Sequence, residues 1–482
     1  MSAQFDLIQY DLIVIGAGTA GIPCAIEAAN LGASVLLLEK AGEVGGTLFT
    51  SGGHMSGAGT KRQKAHGIED SQEAHLADIE RISRGTARKD LSALAVKLGT
   101  ETIDWLDENG FEFHERAPRI VYGHEPYGAA RTYYGTEQGL SILKVLKRLL
   151  EERIALGGID LRLNTGAASL IEEDGVVVGV RTSTGMDIRA KNVVISTGGF
   201  GANPEMFARL EGAPLVSAAW PTATGDGIAM AEEVGAAIAG AGTYLPTFGG
   251  LPSPDGGVRI RWADRPLLVA KERPPHEIYV DRSGNRWVAE DEPSIDAKEH
   301  ALVGIEGMTF WTFFDSAALE ASQPMVIGWS TEDLKAHANV LPGVFSGGSV
   351  EETAIRMGVD PAGLAATVAR YNEFVAAGMD ADFGREYLPA PIAQAPFYAI
   401  QNHAVTLITF SGIDVDAHMR VRRSDGSVIP GLYAAGEALG AAATMGKSFC
   451  GGLLAMPAIA FGRYIAKELA SAGSFTCGGQ SS

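Results

Sequence analysis

Three glycines and one carboxylate near the N-terminus have the types and spacing of a phosphate-binding turn: Gly16-Ala-Gly18-Thr-Ala-Gly21, with Glu39 at the end of the next apolar run. Gly16 suits a tight turn, Gly18 lets backbone approach a pyrophosphate, and Gly21 lets a helix pack closely on a strand. The Glu39 carboxylate can accept both hydroxyls of an adenosine ribose and repels a 2′-phosphate, which selects NAD or FAD over NADP. The elements that must position these groups surround them. An apolar strand (Tyr10 to Ile15) precedes the turn, a helix-like run reaches Gly32, and a second apolar strand (Ser34 to Leu38) delivers Glu39. That order is a dinucleotide-binding βαβ unit. No second such site is present, because Gly198-Gly-Phe-Gly201 has the wrong spacing and no acidic strand end follows it.

A second glycine-rich stretch follows: Gly45-Gly46-Thr47, Ser51-Gly52-Gly53-His54 and Ser56-Gly57-Ala58-Gly59-Thr60. Glycine at this density permits backbone close to a flat ligand and offers free amide donors, the properties of a cradle for flavin. Residues 71 to 110 read as polar helices with Trp105 and Leu106 on an apolar stripe, and Leu140 to Leu156 as an amphipathic helix. Strands are expected at Ile159 to Leu163, Val176 to Arg181 and Asn192 onward, the last ending in Gly198-Gly199. Thr224-Gly225-Asp226-Gly227 opens a further helix. From about 240 to 390 the βαβ rhythm is lost, which marks an inserted second region; β-rich sequence returns at Phe397. Asp425-Gly426 signals a hairpin, Leu432-Tyr-Ala-Ala-Gly436-Glu437 is a strand running into another Gly-acid pair, and Ala455 to Leu469 is a closing helix. The terminal Gly/Ser tail is expected to be mobile.

The chain has 482 residues, 46% apolar and 20% charged, enough for two or three domains with a large core. Its 39 basic and 58 acidic side chains give a net charge of −19, which disfavours nucleic acid and anionic membranes as partners. No leader pattern and no apolar run of about 18 residues is seen, so a soluble, cytoplasmic protein is expected. Cys24, Cys450 and Cys477 are too few and too scattered for a disulfide framework, a zinc site or an iron-sulfur cluster, so no electron relay and no metal site is expected.

Taken in order, Gly16 to Gly21 with Glu39, Gly45-Gly46-Thr47, Ser51-Gly52-Gly53, Ser196-Thr-Gly-Gly-Phe200, Thr224 to Gly227, Asp281-Arg-Ser-Gly-Asn-Arg-Trp-Val288 with Glu290, Pro396-Phe-Tyr398 and Pro430 to Glu437 resemble the flavoprotein superfamily of fumarate reductases, succinate dehydrogenase flavoprotein subunits and ketosteroid dehydrogenases. The resemblance spans nearly the whole chain. It implies an α/β fold with a Rossmann-like, split FAD-binding domain (residues 1–240 and 391–482) and an inserted α+β capping domain (241–390). It also implies FAD contacts from Gly16, Gly18, Ala20, Gly21, Glu39, Lys40, Gly45, Gly46, Thr47, Gly52, Gly53, Ala167, Thr197, Gly198, Asp226, Gly436, Glu437, Gly452, Leu453 and Leu454. Membrane-bound relatives attach FAD to a histidine in the segment that is Gly46 to Ser51 here; no histidine lies there, so non-covalent FAD is expected.

The departures from the family pattern concern charge. Counting four residues past Glu290, where fumarate reductases place a catalytic arginine, gives Ser294. Leu407-Ile408 stand where they carry a histidine pair, and Phe449 stands where they carry a substrate arginine. Two carboxylates removed from water need paired cations, so these losses argue against a C4 dicarboxylate. The chemistry left is transfer of hydride between a flavin and the carbon β to a carbonyl, with a base on the α-proton and donors for the enolate oxygen. Ketosteroid dehydrogenases use tyrosines for both tasks, one of them at the position of Phe449. Candidate catalytic groups are Tyr127 and Tyr122, in Tyr122-Gly-His-Glu-Pro-Tyr127-Gly-Ala-Ala-Arg131, each as acid/base or enolate binder, and His54, which follows the Gly52-Gly53 pair, as a flavin or substrate contact; each tyrosine can equally pack a domain seam and His54 can equally make a structural hydrogen bond. His276, His300 and His403 read as non-catalytic, Cys450 as a buried small hydrophobe, and Arg286 with Glu290 as cap structure. The expected partners are a small-molecule carbonyl substrate and an external electron acceptor or donor. Two other readings stay open: reduction of an unsaturated carboxylic acid, anchored by Lys447 with Arg273 or Arg131, and a non-catalytic flavoprotein subunit.

Overall fold

The computed structural model describes residues 10–253 and 257–475; Cys477 and most of the Gly/Ser tail lie outside them. In chain order the main elements are β1 (Tyr10–Ile15), α1 (Gly21–Asn30), β2 (Val35–Leu38), α2 (Lys89–Glu108), α3 (Gly139–Ala155), β3 (Ile159–Arg162), β4 (Ala167–Glu173), β5 (Val176–Thr182), β6 (Asp187–Ile195), α4 (Asp226–Glu233), β7 (Ile278–Val280), β8 (Thr309–Asp315), β9 (Val344–Gly347), β10 (Phe397–Val405), β11 (Arg420–Arg422), β12 (Val428–Ala434) and α5 (Ala455–Ser471).

The first sheet has a parallel core in the order β12-β6-β1-β2-β3, with β11 antiparallel on its outer edge. The β4–β5 hairpin joins the first half of β6. Leu12, Ile13, Val14, Leu36, Leu37, Val193, Val194, Ile195 and Leu432 are all at 0% exposure. Such strands read as unbroken apolar runs because parallel strands are covered on both faces. The cover on one side includes α1, which packs against α5, and α5 in turn against α2. Because β1, β2, β6 and β12 run parallel, the four loops that follow them lie at one edge of the sheet, the crevice beyond the carboxyl ends where open α/β sheets bind ligands.

The inserted region builds a second, antiparallel sheet, in which β10 pairs with β8 along its length, with β9 and Thr247–Phe248, and β7 adds to β8. Strand β10 belongs to this sheet by its hydrogen bonds, so the sheet extends past residue 390 and the chain rejoins the first sheet only at β11. Cross-strand aromatic pairs hold the register: Phe314 stacks on Tyr398 at 5.8 Å and Phe313 on Phe397 at 6.0 Å. Beneath them Glu290 accepts two bonds from Arg286 (2.8 and 2.7 Å), one from Arg385 (3.0 Å) and one from the Tyr279 amide (3.1 Å). Asp380 takes a further bond from Arg286 at 2.9 Å. These four charged side chains are at most 4% exposed, so removing one partner leaves a buried charge uncompensated.

Glu290→Gln should therefore destabilise the inserted region by about 3–5 kcal/mol. Urea unfolding followed by tryptophan fluorescence reads this, since Trp287, Trp311 and Trp329 lie in that region; an unchanged midpoint would show that the region does not depend on the cluster.

Candidate active site

The carboxyl ends of β1, β2, β6 and β12 open onto a cleft of about 1060 Å³ that the segment after Ala218 and the inserted region wall on the other side. At one end the glycine turn has the form its spacing required. A Cβ on Gly16, at φ +98°, would stand 2.6 Å from the Ser196 carbonyl oxygen, and one on Gly21 would stand 1.9 Å from the Gly16 carbonyl oxygen. A Cβ on Gly18 would meet no atom within 4 Å. Gly16 thus lets the turn lie against the end of β6, Gly21 lets α1 close on the turn, and Gly18 leaves room in the cleft where the helix N-terminus favours an anion.

Glu39 accepts from the amides of Ala17 (2.9 Å) and Ala41 (2.8 Å), which fixes its carboxylate at the cleft wall with lone pairs to spare. Lys40 crosses to the start of α4, donating to Thr224 at 2.6 Å and Asp226 at 2.7 Å. On the β12 side Glu437 accepts from the amide (2.9 Å) and hydroxyl (3.2 Å) of Thr409. Burial pushes its carboxyl up to about 7 against those bonds, so near neutrality it can both accept and donate. Leu454, Ala455 and Ala458 bring the N-terminus of α5, a second positive helix end, to the same cleft.

Of the residues expected to hold a cofactor, Gly16, Gly18, Ala20, Glu39, Lys40, Gly46, Thr47, Gly52, Ala167, Thr197, Gly198, Asp226, Gly436, Glu437, Gly452 and Leu454 line this cleft. Gly21, Gly45, Gly53 and Leu453 stand behind its surface. Gly21 faces the Gly16 carbonyl, Gly45 faces Leu143, Gly53 faces the Gln138 backbone, and Leu453 is 1% exposed in the core. The empty space at Gly18, the ribose-ready carboxylate and two helix N-termini suit the adenosine and diphosphate of FAD.

The candidate catalytic residues separate. His54 lines the cleft, whereas neither tyrosine does. Tyr127 is buried against the edge of His75 and donates to the Gly451 carbonyl at 2.7 Å; burial raises its phenol well above the ordinary value. Tyr122 is 43% exposed, under the Lys271 ammonium. The cations expected to anchor a carboxylate are also elsewhere. Arg131 is buried and bound to the buried Asp70 carboxylate and to the partly exposed Asp78, Arg273 is buried and bound to the buried Glu277, and Lys447 is not on the cleft surface.

Several of the remaining lining residues are apolar or neutral. Phe49 stacks on Trp220 at 5.5 Å, and Leu407, Ile408 and Phe449 present carbon. His124 stacks on Phe449 with ring centroids 4.8 Å apart and planes 20° apart. Burial, then Arg119, lowers His54 below the usual histidine range; burial, then His54, lowers His124 to about 4. Both imidazoles are therefore neutral at pH 7. Burial raises the thiol of Cys450, which removes it as a nucleophile. Two arginines of the inserted region, Arg259 and Arg265, also reach the cleft, and Arg259 donates to the Ala219 carbonyl at 3.1 Å. His124, Trp220, Arg259 and Arg265 carry no signal in spacing. His124 sits between the two tyrosines that drew attention, and only its place beside Phe449 singles it out.

Among the described residues no cluster of His, Cys, Asp or Glu could hold a metal, and no helix is long and apolar enough to cross a membrane. Residues 11–454 match the family model for the FAD binding domain. A probable fumarate reductase of Shewanella frigidimarina is 31% identical over 464 residues, covering 94% of this chain and 73% of that one. A 3-oxosteroid 1-dehydrogenase of Mycolicibacterium smegmatis is 26% identical, covering 96% and 97%. The solved open conformation of a flavocytochrome c3 fumarate reductase superposes with a TM-score of 0.72 at 29% identity, over 95% of this chain and 78% of that one. With the cleft fitted to FAD and a match over nearly its whole length, the chain belongs to the FAD-binding flavoprotein family of fumarate reductases and ketosteroid dehydrogenases, oxidoreductases of CH–CH bonds.

Proposed function

We propose that this flavoprotein transfers hydride between FAD and the carbon β to the carbonyl of a neutral, cyclic or steroid-like ketone, with dehydrogenation preferred over reduction and an external electron acceptor or donor. The observation that carries this reading is the apolar wall of Leu407, Ile408 and Phe449 at the cleft. A carboxylate taken from water onto that wall would lose its hydration and gain no cation from the wall itself, a cost a ketone does not carry. FAD when bound supplies two-electron chemistry at N5. The chain must then orient the substrate, move the α-proton and steady charge on the carbonyl oxygen. His54 is the acid/base group in this reading: it lines the cleft, and its neutral imidazole can accept a proton. Non-covalent retention of FAD is part of the reading, because Gly46 to Ser51 contains no histidine. So is a cytoplasmic location, with Cys24 and Cys450 both buried free thiols. A second reading, reduction of an unsaturated carboxylic acid, is favoured by Arg259 and Arg265 at the cleft.

Anaerobic mixing of the purified yellow protein with cyclic ketones, steroids and small acids separates these readings. Loss of the flavin absorbance with saturated ketones is expected. Reoxidation of reduced flavin by unsaturated acids alone would install the second reading, and no response across the panel would make the chain a non-catalytic subunit. Gly18→Ala should keep the apoprotein's melting temperature, since its methyl group meets nothing, yet weaken FAD binding in a flavin-fluorescence titration. Acid precipitation should release all flavin into the supernatant. Because burial lowers His54, kcat/KM for dehydrogenation should stay level as pH falls through about 6.5, the ordinary histidine value, and drop only at more acid pH. His54→Gln should lower kcat by about 10²–10⁴-fold; a smaller loss would remove His54 as the base.

A further inference from the structure

We propose that His124 is the neutral hydrogen-bond donor for the carbonyl oxygen of the substrate, acting through Nε2–H. The inference rests on the ketone reading above and assigns a side chain to the steadying of charge on the carbonyl oxygen, which that reading leaves without one.

His124 lies on the cleft wall, and its Nδ1 is sealed from solvent with no hydrogen-bond partner. A neutral imidazole carries one proton. Placing it on Nδ1 would bury an N–H without an acceptor, whereas placing it on Nε2 leaves only an unused lone pair in the interior, the lesser cost. The ring therefore presents Nε2–H at its remaining accessible edge. Its neutral state is secured by desolvation and by His54, whose protonation would repel a second charge. Neutral imidazole is the form suited to polarising a carbonyl, because it stabilises developing enolate charge without surrendering its proton.

Two further features hold the ring in place. Phe449 lies almost parallel to it, and the edge of Phe410 meets Phe449 at 5.5 Å. The next residue, Glu125, accepts from the Ser294 hydroxyl at 2.8 Å, while Ser294 also caps the helix Ile295–Val303 of the inserted region. The loop bearing His124 is thus tied to the cap, and a donor so fixed needs no reorganisation when charge appears on the substrate oxygen. Tyr127, bonded to the Gly451 carbonyl, has no hydroxyl hydrogen left for that oxygen.

The test uses the FAD-loaded protein and His124→Phe, which keeps a stacking ring without a donor, beside His124→Gln, whose amide nitrogen can reach the place of Nε2. FAD content and melting temperature report folding. Titration with para-substituted phenols reads the oxygen site, since a bound phenolate mimics the enolate and stacked on oxidised flavin gives a long-wavelength charge-transfer band. The expected result is a band in the wild type, its loss or an at least tenfold weaker phenol affinity in His124→Phe, and its retention in His124→Gln. In turnover, kcat should fall by about 10²–10³-fold in His124→Phe and partly recover in His124→Gln. A wild-type-like band and kcat in folded, FAD-loaded His124→Phe would overturn the assignment and leave the ketone reading standing. Absence of both a phenolate band and ketone reduction of flavin in the wild type would mean that the ketone reading has failed, and this assignment with it.

Discussion

The approach of α1 to the turn at Gly16 is the contact on which the rest of the cleft depends. A single methyl group on Gly21 would lie 1.9 Å from the Gly16 carbonyl oxygen, so no other residue lets the helix start where it does. With the helix in that place, its free amides face the space beside Gly18, and β1 sits between β2 and β6 so that Glu39, Thr197 and Gly198 arrive at the same edge. The parallel sheet makes this possible because its strands all end on one side, each loop adding backbone donors or a carboxylate to a common crevice.

Charge in this molecule is sorted between interior scaffolding and the cleft. Arg131, Arg273, Arg286 and Arg385 are all buried, and each is held by carboxylates that are buried with it. Such pairs add little net stability but are costly to break, so they fix geometry more than they stabilise it. None of them is free to meet a ligand. The wall formed by Leu407, Ile408 and Phe449 consequently faces the cleft without a charge of its own, and the histidines there are kept neutral by the same low-dielectric surroundings. The arginines that do reach the cleft, Arg259 and Arg265, come from a separate segment of the inserted region.

The inserted region is joined to the first sheet through particular polar contacts. Arg84 reaches Asp296 at 2.6 Å and Ser294 reaches Glu125 at 2.8 Å, both linking the start of the helix Ile295–Val303 to the FAD-binding part. The second of these contacts holds the segment from Tyr122 to Arg131, which carries His124 to the cleft, against the inserted region.

The dinucleotide half of the protein was legible in the sequence because its determinants are local: a glycine's missing side chain and an acidic strand end act within one βαβ unit. The glycines that line the cleft and those that stand behind it, such as Gly45 and Gly53, were not told apart, since that depends on whether Leu143 or Gln138 comes to face them from α3 or its N-cap. The same limit separated His54 from the two tyrosines. Tyr127 and His124 are three residues apart, yet the long-range partners Gly451 and Phe449 turn the first toward the interior and the second toward the cleft. By itself the sequence determined the nucleotide-binding turn and placed uncharged side chains at Ser294, Leu407, Ile408 and Phe449. Tertiary structure alone decided which side chains meet the ligand and which arginines are already paired, because burial and partnership are properties of residues brought together from distant parts of the chain.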